Sequence, residues 1–135
     1  MNTRPRYTNS DPWQGISHDV ISRFLEVLMT EHALSRKTRV AYRVDLHKLD
    51  CWMQLTRRRT AIAATSEDLN DYFAQQLSAR HSSWTLKRAR NSARRFYAFL
   101  RECHYRDDDP MPRRIVAQPD SVDAYAEHGL EVAAY

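Results

Sequence analysis

The chain has 135 residues, 21 of them Lys or Arg against 17 Asp or Glu, with a net charge of +4 and 42% hydrophobic content. That length accommodates one core but not two. Only two glycines are present, which excludes a fold of many tight β-turns and any Gly-rich phosphate loop; an all-α domain is the expectation. No apolar run approaches the ~18 residues that span a bilayer, and no hydrophobic leader opens the chain, so a cytoplasmic protein with no membrane partner is predicted.

Residues 1–15 include Pro5, Asn9, Ser10, Asp11, Pro12 and Gly15 and read as a flexible N-terminal arm, charged by Arg4 and Arg6. A first helix is predicted from Ser17 to about Ala33, with Val20, Ile21, Phe24, Leu25, Leu28 and Met29 as its core stripe. Ser35 offers an N-cap for a second helix ending near Gln54. On this helix Arg36, Arg39, Arg43 and His47 share a narrow strip that Asp50 continues. One apolar stripe (Tyr42, Leu46, Leu49, Met53) and another (Val40, Val44, Cys51) flank it. A helix so flanked is packed on most of its circumference, and its strip is either a groove lining or a solvated edge.

Arg57, Arg58 and Arg59 form a basic run in the next loop, after which basic residues vanish from Thr60 to Ala79. Thr65 or Ser66 caps a third helix, Ser66 to Ser78, whose first turn carries Glu67, Asp68 and Asp71 in accord with the helix dipole. It is expected to bury Leu69, Tyr72, Phe73 and Leu77 and to face away from any polyanion. Ser82 or Ser83 then opens a fourth helix that runs to about Cys103 and stops before Asp107, Asp108, Asp109 and Pro110.

The fourth helix is the most informative segment. From Arg80 to Arg101 there are seven Lys or Arg and no acidic residue. At 100° per residue Lys87, Arg88, Arg90, Asn91, Arg94, Arg95 and Arg101 fall within roughly 160° of arc, and Leu86, Ala89, Ala93, Phe96, Tyr97, Phe99, Leu100 and Cys103 fill the rest. Like charges at i,i+4 repel by a few tenths of a kcal/mol each. Uncompensated, they point to an outside partner that supplies negative charge, with nucleic-acid phosphate the first candidate. Residues 113–135 set two Arg against Asp120, Asp123, Glu127 and Glu131, a net of −2, which leaves +6 on residues 1–112. This acidic tail reads as a weak amphipathic helix broken at Gly129, suited to fold over the basic face or to bind a partner.

Other chemistry is sparse. Cys51 and Cys103 form no CxxC or zinc spacing and are expected as reduced thiols in or near the core. His18, His32, His47, His81, His104 and His128 include no i,i+4 pair, so neither metal nor cofactor is expected. Asp107, Asp108 and Asp109 are consecutive on an irregular segment and read as a helix stop. Trp52 is expected in the core and Trp84 in local packing.

The succession Ile21–Leu28 (ISRFLEVL), Leu34–Leu46 (LSRKTRVAYRVDL), Thr65–Leu69 (TSEDL), Ser82–Arg106 (SSWTLKRARNSARRFYAFLRECHYR) and Asp107–Pro110 (DDDP) resembles the N-terminal core-binding domain of Xer-type tyrosine recombinases and phage integrases over residues 16–112. The resemblance implies a small, SAM-like orthogonal bundle of four helices, between the arm of residues 1–15 and the acidic tail of 113–135. It implies a DNA-binding module that holds duplex DNA as half of a C-shaped clamp. The contacts implied are Arg36, Lys37, Thr38, Arg39 and Arg43 from the second helix and Lys87, Arg88, Arg90, Asn91, Arg94 and Arg95 from the fourth; Tyr42 fits core or contact. Beyond Pro112 the resemblance stops, and the family's catalytic arginines and nucleophilic tyrosine have no counterpart. Tyr135 lacks an H-x-x-R element and an arginine clamp, so the chain is not expected to be an enzyme. The alternative is a stand-alone interaction protein that modulates recombination by association with full-length recombinase protomers or with itself.

Overall fold

Apolar residues at helical spacing generate four α-helices and no strand among the residues that the computed structural model describes, 11–79 and 81–115. They are α1 (Ser17–Glu31), α2 (Arg36–Thr56), α3 (Ser66–Ser78) and α4 (Ser83–Glu102), with a 3₁₀ turn at Ala61–Ala63 between α2 and α3. Residues 1–10 and 116–135, and with them the expected tail helix and most of the arm, lie outside the described residues.

The helix starts follow the caps. The hydroxyls of Ser35 and Ser82 each accept the backbone N–H three residues on, from Thr38 and Thr85, at 3.1 Å. Thr65 and Asp68 form a reciprocal capping box, at 3.1 Å and 3.0 Å. The ends are less conventional, because glycine is scarce. Ala33, Arg58 and His104 take left-handed φ of 51°, 60° and 63° after α1, α2 and α4. At the last of these, N–H groups of His104 and Tyr105 return to the carbonyls of Arg101 and Leu100, the Schellman pattern with histidine where glycine is usual. The turn at Ala33 stops α1 at Glu31, two residues short of the expected end, whereas α2 gains two.

All four helices feed one core. Ile21, Phe24 and Leu25 meet Leu46, Leu49 and Met53, Leu69 and Phe73, and Phe96, Tyr97 and Leu100, all buried. Phe24 and Phe96 lie edge to face at 5.4 Å. Tyr42 is buried and so is core. Met29, expected in the stripe of α1, is 43% exposed.

Two buried carboxylates organise the turn that follows α2. Asp50 accepts from Ser17 Oγ (2.8 Å), Gln54 Nε2 (2.9 Å) and the backbone N–H of Ala61 (2.8 Å), and Asp11 accepts the N–H of Thr60. The carbonyls of this turn are held from the far side: Ala61 O accepts from Tyr97 Oη at 2.6 Å, and those of Ile62 and Ala64 accept from Arg106 at 2.8 and 2.9 Å. Asp50 is therefore an internal acceptor for one backbone amide and two side chains and not, as its place on the strip suggested, a surface charge. Asp11 and Trp13 were assigned to the arm; Asp11 is buried and Trp13 packs edge-on to Tyr105 at 5.1 Å. Ile115, assigned to the tail, is buried as well.

Two further expectations are corrected. Cys51 and Cys103 are free but exposed, one on the solvent side of α2 and one just past α4. Trp52 is half-buried, with its indole N–H on Gln75 Oε1 (3.1 Å) and the Arg57 guanidinium 4.8 Å above its ring.

Candidate nucleic-acid interface

Helices α2 and α4 are joined by a two-pronged ion pair. Arg88 donates from Nε and Nη2 to the two oxygens of Asp45, both at 2.9 Å. Arg88 was expected among the free basic groups; instead its fork is committed to a nearly buried carboxylate.

The rest of the α4 arc divides. Lys87, Arg94 and Arg101 are exposed, as is Trp84, at 73%. Asn91 is half-buried and accepts from Arg94 Nη1 at 2.6 Å. Among the described residues no carboxylate lies within 4 Å of the basic groups of Lys87, Arg94, Arg95 or Arg101. Arg95 is half-buried and borders a groove floored by Phe24, Leu28 and Phe99. Arg90, placed by the helical wheel on the polar arc, is 3% exposed and donates to the carbonyl of Pro112 at 3.4 Å. Residues 110–115 fold back over that edge of α4, and a wheel drawn on one helix cannot register them. Trp84 was expected in local packing and instead stands out beside Lys87.

On α2 the basic strip takes the groove-lining alternative, and the flanking valines depart from expectation. Arg36 and Lys37 are exposed, but Thr38 belongs to the cap, where its Oγ1 accepts from Ser35 Oγ at 2.9 Å. Arg39, Arg43 and His47 are half-buried along one flank. His47 meets His18 of α1 with ring centroids 4.5 Å apart, so that flank turns toward α1. Burial, the neighbouring His18 and Arg43 hold the His47 imidazole below its ordinary pKa, against the opposing pull of Asp50. Arg39 Nε and His47 Nε2 are enclosed with no protein acceptor or donor. Val40 and Val44, expected to pack, are 48% and 49% exposed and share the solvent face with Lys37 and Lys48. Helical spacing sets Lys48 between this face and Asp45, on the side that meets α4. Lys48 is the basic residue that the sequence reading passed over; its signal was the spacing of Lys37, Val40, Val44 and Lys48, a mixed stripe and not an apolar one.

Two of the three arginines of the basic loop, Arg57 and Arg59, are paired with carboxylates of α3. Arg57 Nε lies 2.9 Å from Asp68, and Arg59 also pairs with Asp68. Burial pushes the Asp68 carboxyl up, but the Thr65 amide and Arg59 outweigh it and hold the group below the ordinary carboxylate range. The acidic start of α3 thus has its own cations. Among the described residues no cluster of three or more His, Cys, Asp or Glu could hold a metal ion, and no helix is long and apolar enough to cross a membrane.

Residues 21–103 match the family model of the phage integrase N-terminal SAM-like domain. The chain belongs to this family. Its curated relatives include tyrosine recombinases named XerD. That of Proteus mirabilis is 31% identical over 103 residues, 76% of this chain and 33% of the recombinase. That of Haemophilus ducreyi is 32% identical over 108 residues, 76% and 36%, and that of Ralstonia nicotianae is 37% identical over 98 residues, 70% and 30%. The chain spans about a third of the length of these relatives, and the matched part is the N-terminal SAM-like domain, not the catalytic one. No solved structure matches. The integrase-type domain is all-helical, as the resemblance implied, and its α2 and α4 are adjacent.

Proposed function

We propose that this domain binds duplex DNA, with α4 as the principal contact and the solvent face of α2 beside it. The observation that carries the reading is the α4 arc: Lys87, Arg94 and Arg101 project to solvent with no carboxylate partner among the described residues. Aligned guanidinium and ammonium groups of this kind are stabilised by phosphate, which accepts hydrogen bonds as it neutralises charge. Arg36, Lys37 and Lys48 extend the positive surface onto α2, and Asn91 and Arg95 border it. The Asp45–Arg88 pair orients both helices without itself touching DNA. Arg90 is removed from the contact set by its burial, and Thr38 by its role in the cap.

Chemistry on the phosphodiester needs several groups positioned around one phosphorus, and these 135 residues are proposed to supply grip alone. The XerD relatives are recombinases by name, and a DNA-holding domain is the part such a protein would share with this chain.

The test is a fluorescence-anisotropy titration with duplex DNA at several salt concentrations. About four to six phosphate contacts give a slope of log K against log salt of roughly −4 to −5. Affinity indifferent to salt contradicts the reading. Incubation with nicked suicide duplexes should leave no covalent adduct on a denaturing gel.

A further inference from the structure

None of the exposed residues of α2 is acidic, and Lys37, Val40, Val44, Lys48, Cys51 and Leu55 among them follow spacings of three and four that hold them within about 80° of the helix. Val40 and Val44 are 48% and 49% exposed, and Leu55 67%. Among the described residues neither Lys37 nor Lys48 has a carboxylate within 4 Å. Exposed apolar side chains scattered singly are ordinary. A row of them one helical turn apart, bracketed by unneutralised lysines, is a surface with two chemistries.

Those chemistries have a fixed arrangement. Lys37 and Lys48 stand about 16 Å apart along the axis at 1.5 Å per residue, with Val40 and Val44 between them. The major groove of B-form DNA is about 12 Å wide, so lysines at that spacing reach phosphates on its two edges while the valines face its floor. The apolar projection on that floor is the 5-methyl group of thymine. An acidic protein surface would suit the lysines, but the stripe does not stop at α2. Lys48 lies about 60° around the helix from Asp45, whose pair with Arg88 joins α2 to the arc of Lys87, Arg94 and Arg101. A run of cations across two adjoining helices matches a polyanion.

We infer that Val40 and Val44 read thymine methyl groups in the major groove, with Lys37 and Lys48 on the flanking phosphates, so that the domain prefers thymine at the positions α2 covers. This rests on the DNA reading above and adds base selectivity to it: the phosphate contacts position the helix, and the valines select.

The experiment titrates the full chain with two duplexes of equal length, one built of A·T pairs and one in which deoxyuridine replaces every thymidine, a change that removes the 5-methyl group alone. The parent binds the thymine duplex about fivefold or more tighter than the uracil duplex. Val40→Ala with Val44→Ala, at exposed positions where alanine favours helix, keeps the circular-dichroism melt and the salt slope of the parent and binds the two duplexes within about twofold of each other. Lys37→Ala with Lys48→Ala does the opposite: the slope falls by about 2 and the preference stays. Equal affinity of the parent for the two duplexes, or a preference that survives in the valine variant, overturns the proposal and leaves DNA binding standing. A parent that binds neither duplex removes the DNA reading and the proposal together. A parent that sediments without DNA as a dimer, dissociated by the valine substitutions, assigns the stripe to a second copy of the chain and likewise overturns the proposal.

Discussion

Arg88 and Asp45, 43 positions apart, meet in a bidentate pair that ties the fourth helix to the second. The carboxylate side chain is 7% exposed and the arginine 29%. An ion so far withdrawn from water is tolerated only with its partner in place. The fork geometry also fixes the relative rotation of the two helices, and that rotation sets which residues of each reach the common surface. In the proposed interface Arg88 acts by alignment, while its neighbours Lys87 and Arg94 carry the exposed charge.

The two ends of the pair should differ in cost. Arg88→Met strands the Asp45 carboxylate and is expected to destabilise the domain by about 3 kcal/mol. Asp45→Asn leaves a guanidinium that can turn to water, at a cost of about 1 kcal/mol. The double variant should cost less than the two singles together by at least about 1 kcal/mol. Urea unfolding of the four proteins measures this directly, and simple additivity would show that the pair has no coupling.

Most of the architecture was legible from local signals: Ser35, Thr65 and Ser82 announce helix starts, and the 3.6-residue stripes of α1, α3 and α4 name most of the core. The errors have one physical origin. A helical wheel treats a helix as isolated, so it placed Arg90 on an open arc that residues 110–115 cover, and it read Asp50 as part of a charged strip when it binds the amide of Ala61. On α2 the strip of Arg39, Arg43 and His47 reads equally as a groove lining or a solvated edge, and only the position of α1, which brings His18 against His47, decides for the former. Asp11 lay in a Pro- and Gly-containing stretch with no periodicity, and its burial against Thr60 is a tertiary contact with no local signature.

Acid should weaken the fold in two steps. His47 has a depressed pKa in the folded state, so above its ordinary 6.5 its stabilisation is complete, and it is lost as pH falls from there through the lower folded value. The groups that face it are His18, Asp50 and Arg43. Asp68 is also depressed, so its contribution persists above its ordinary value of 3.8 and is lost as pH falls through the lower folded one. His47→Gln should flatten the first window and leave the second; Asp68→Asn should do the reverse. Urea midpoints taken across the acid range would reveal both, and an unchanged first window in His47→Gln would refute its assignment.

The sharpest test of the interface separates residues that one wheel placed together. Lys87→Ala with Arg94→Ala removes two exposed cations from α4, relieves like-charge repulsion and keeps helix propensity. The melting temperature should therefore hold within a few degrees, while the salt slope of DNA binding falls by about 2. Arg90→Ala removes a side chain that is 3% exposed and bonded to Pro112; it should cost about 2 kcal/mol of stability through lost packing and polar contact and leave the salt slope unchanged in the folded protein. Phe96→Ala, at the centre of the core with 0% exposure, sets the scale with a loss of about 3 to 5 kcal/mol. Circular-dichroism melts and DNA titrations on the three variants decide the matter. If Arg90→Ala lowers the slope as Lys87→Ala with Arg94→Ala does, then Arg90 reaches phosphate and the edge of α4 must open when DNA binds.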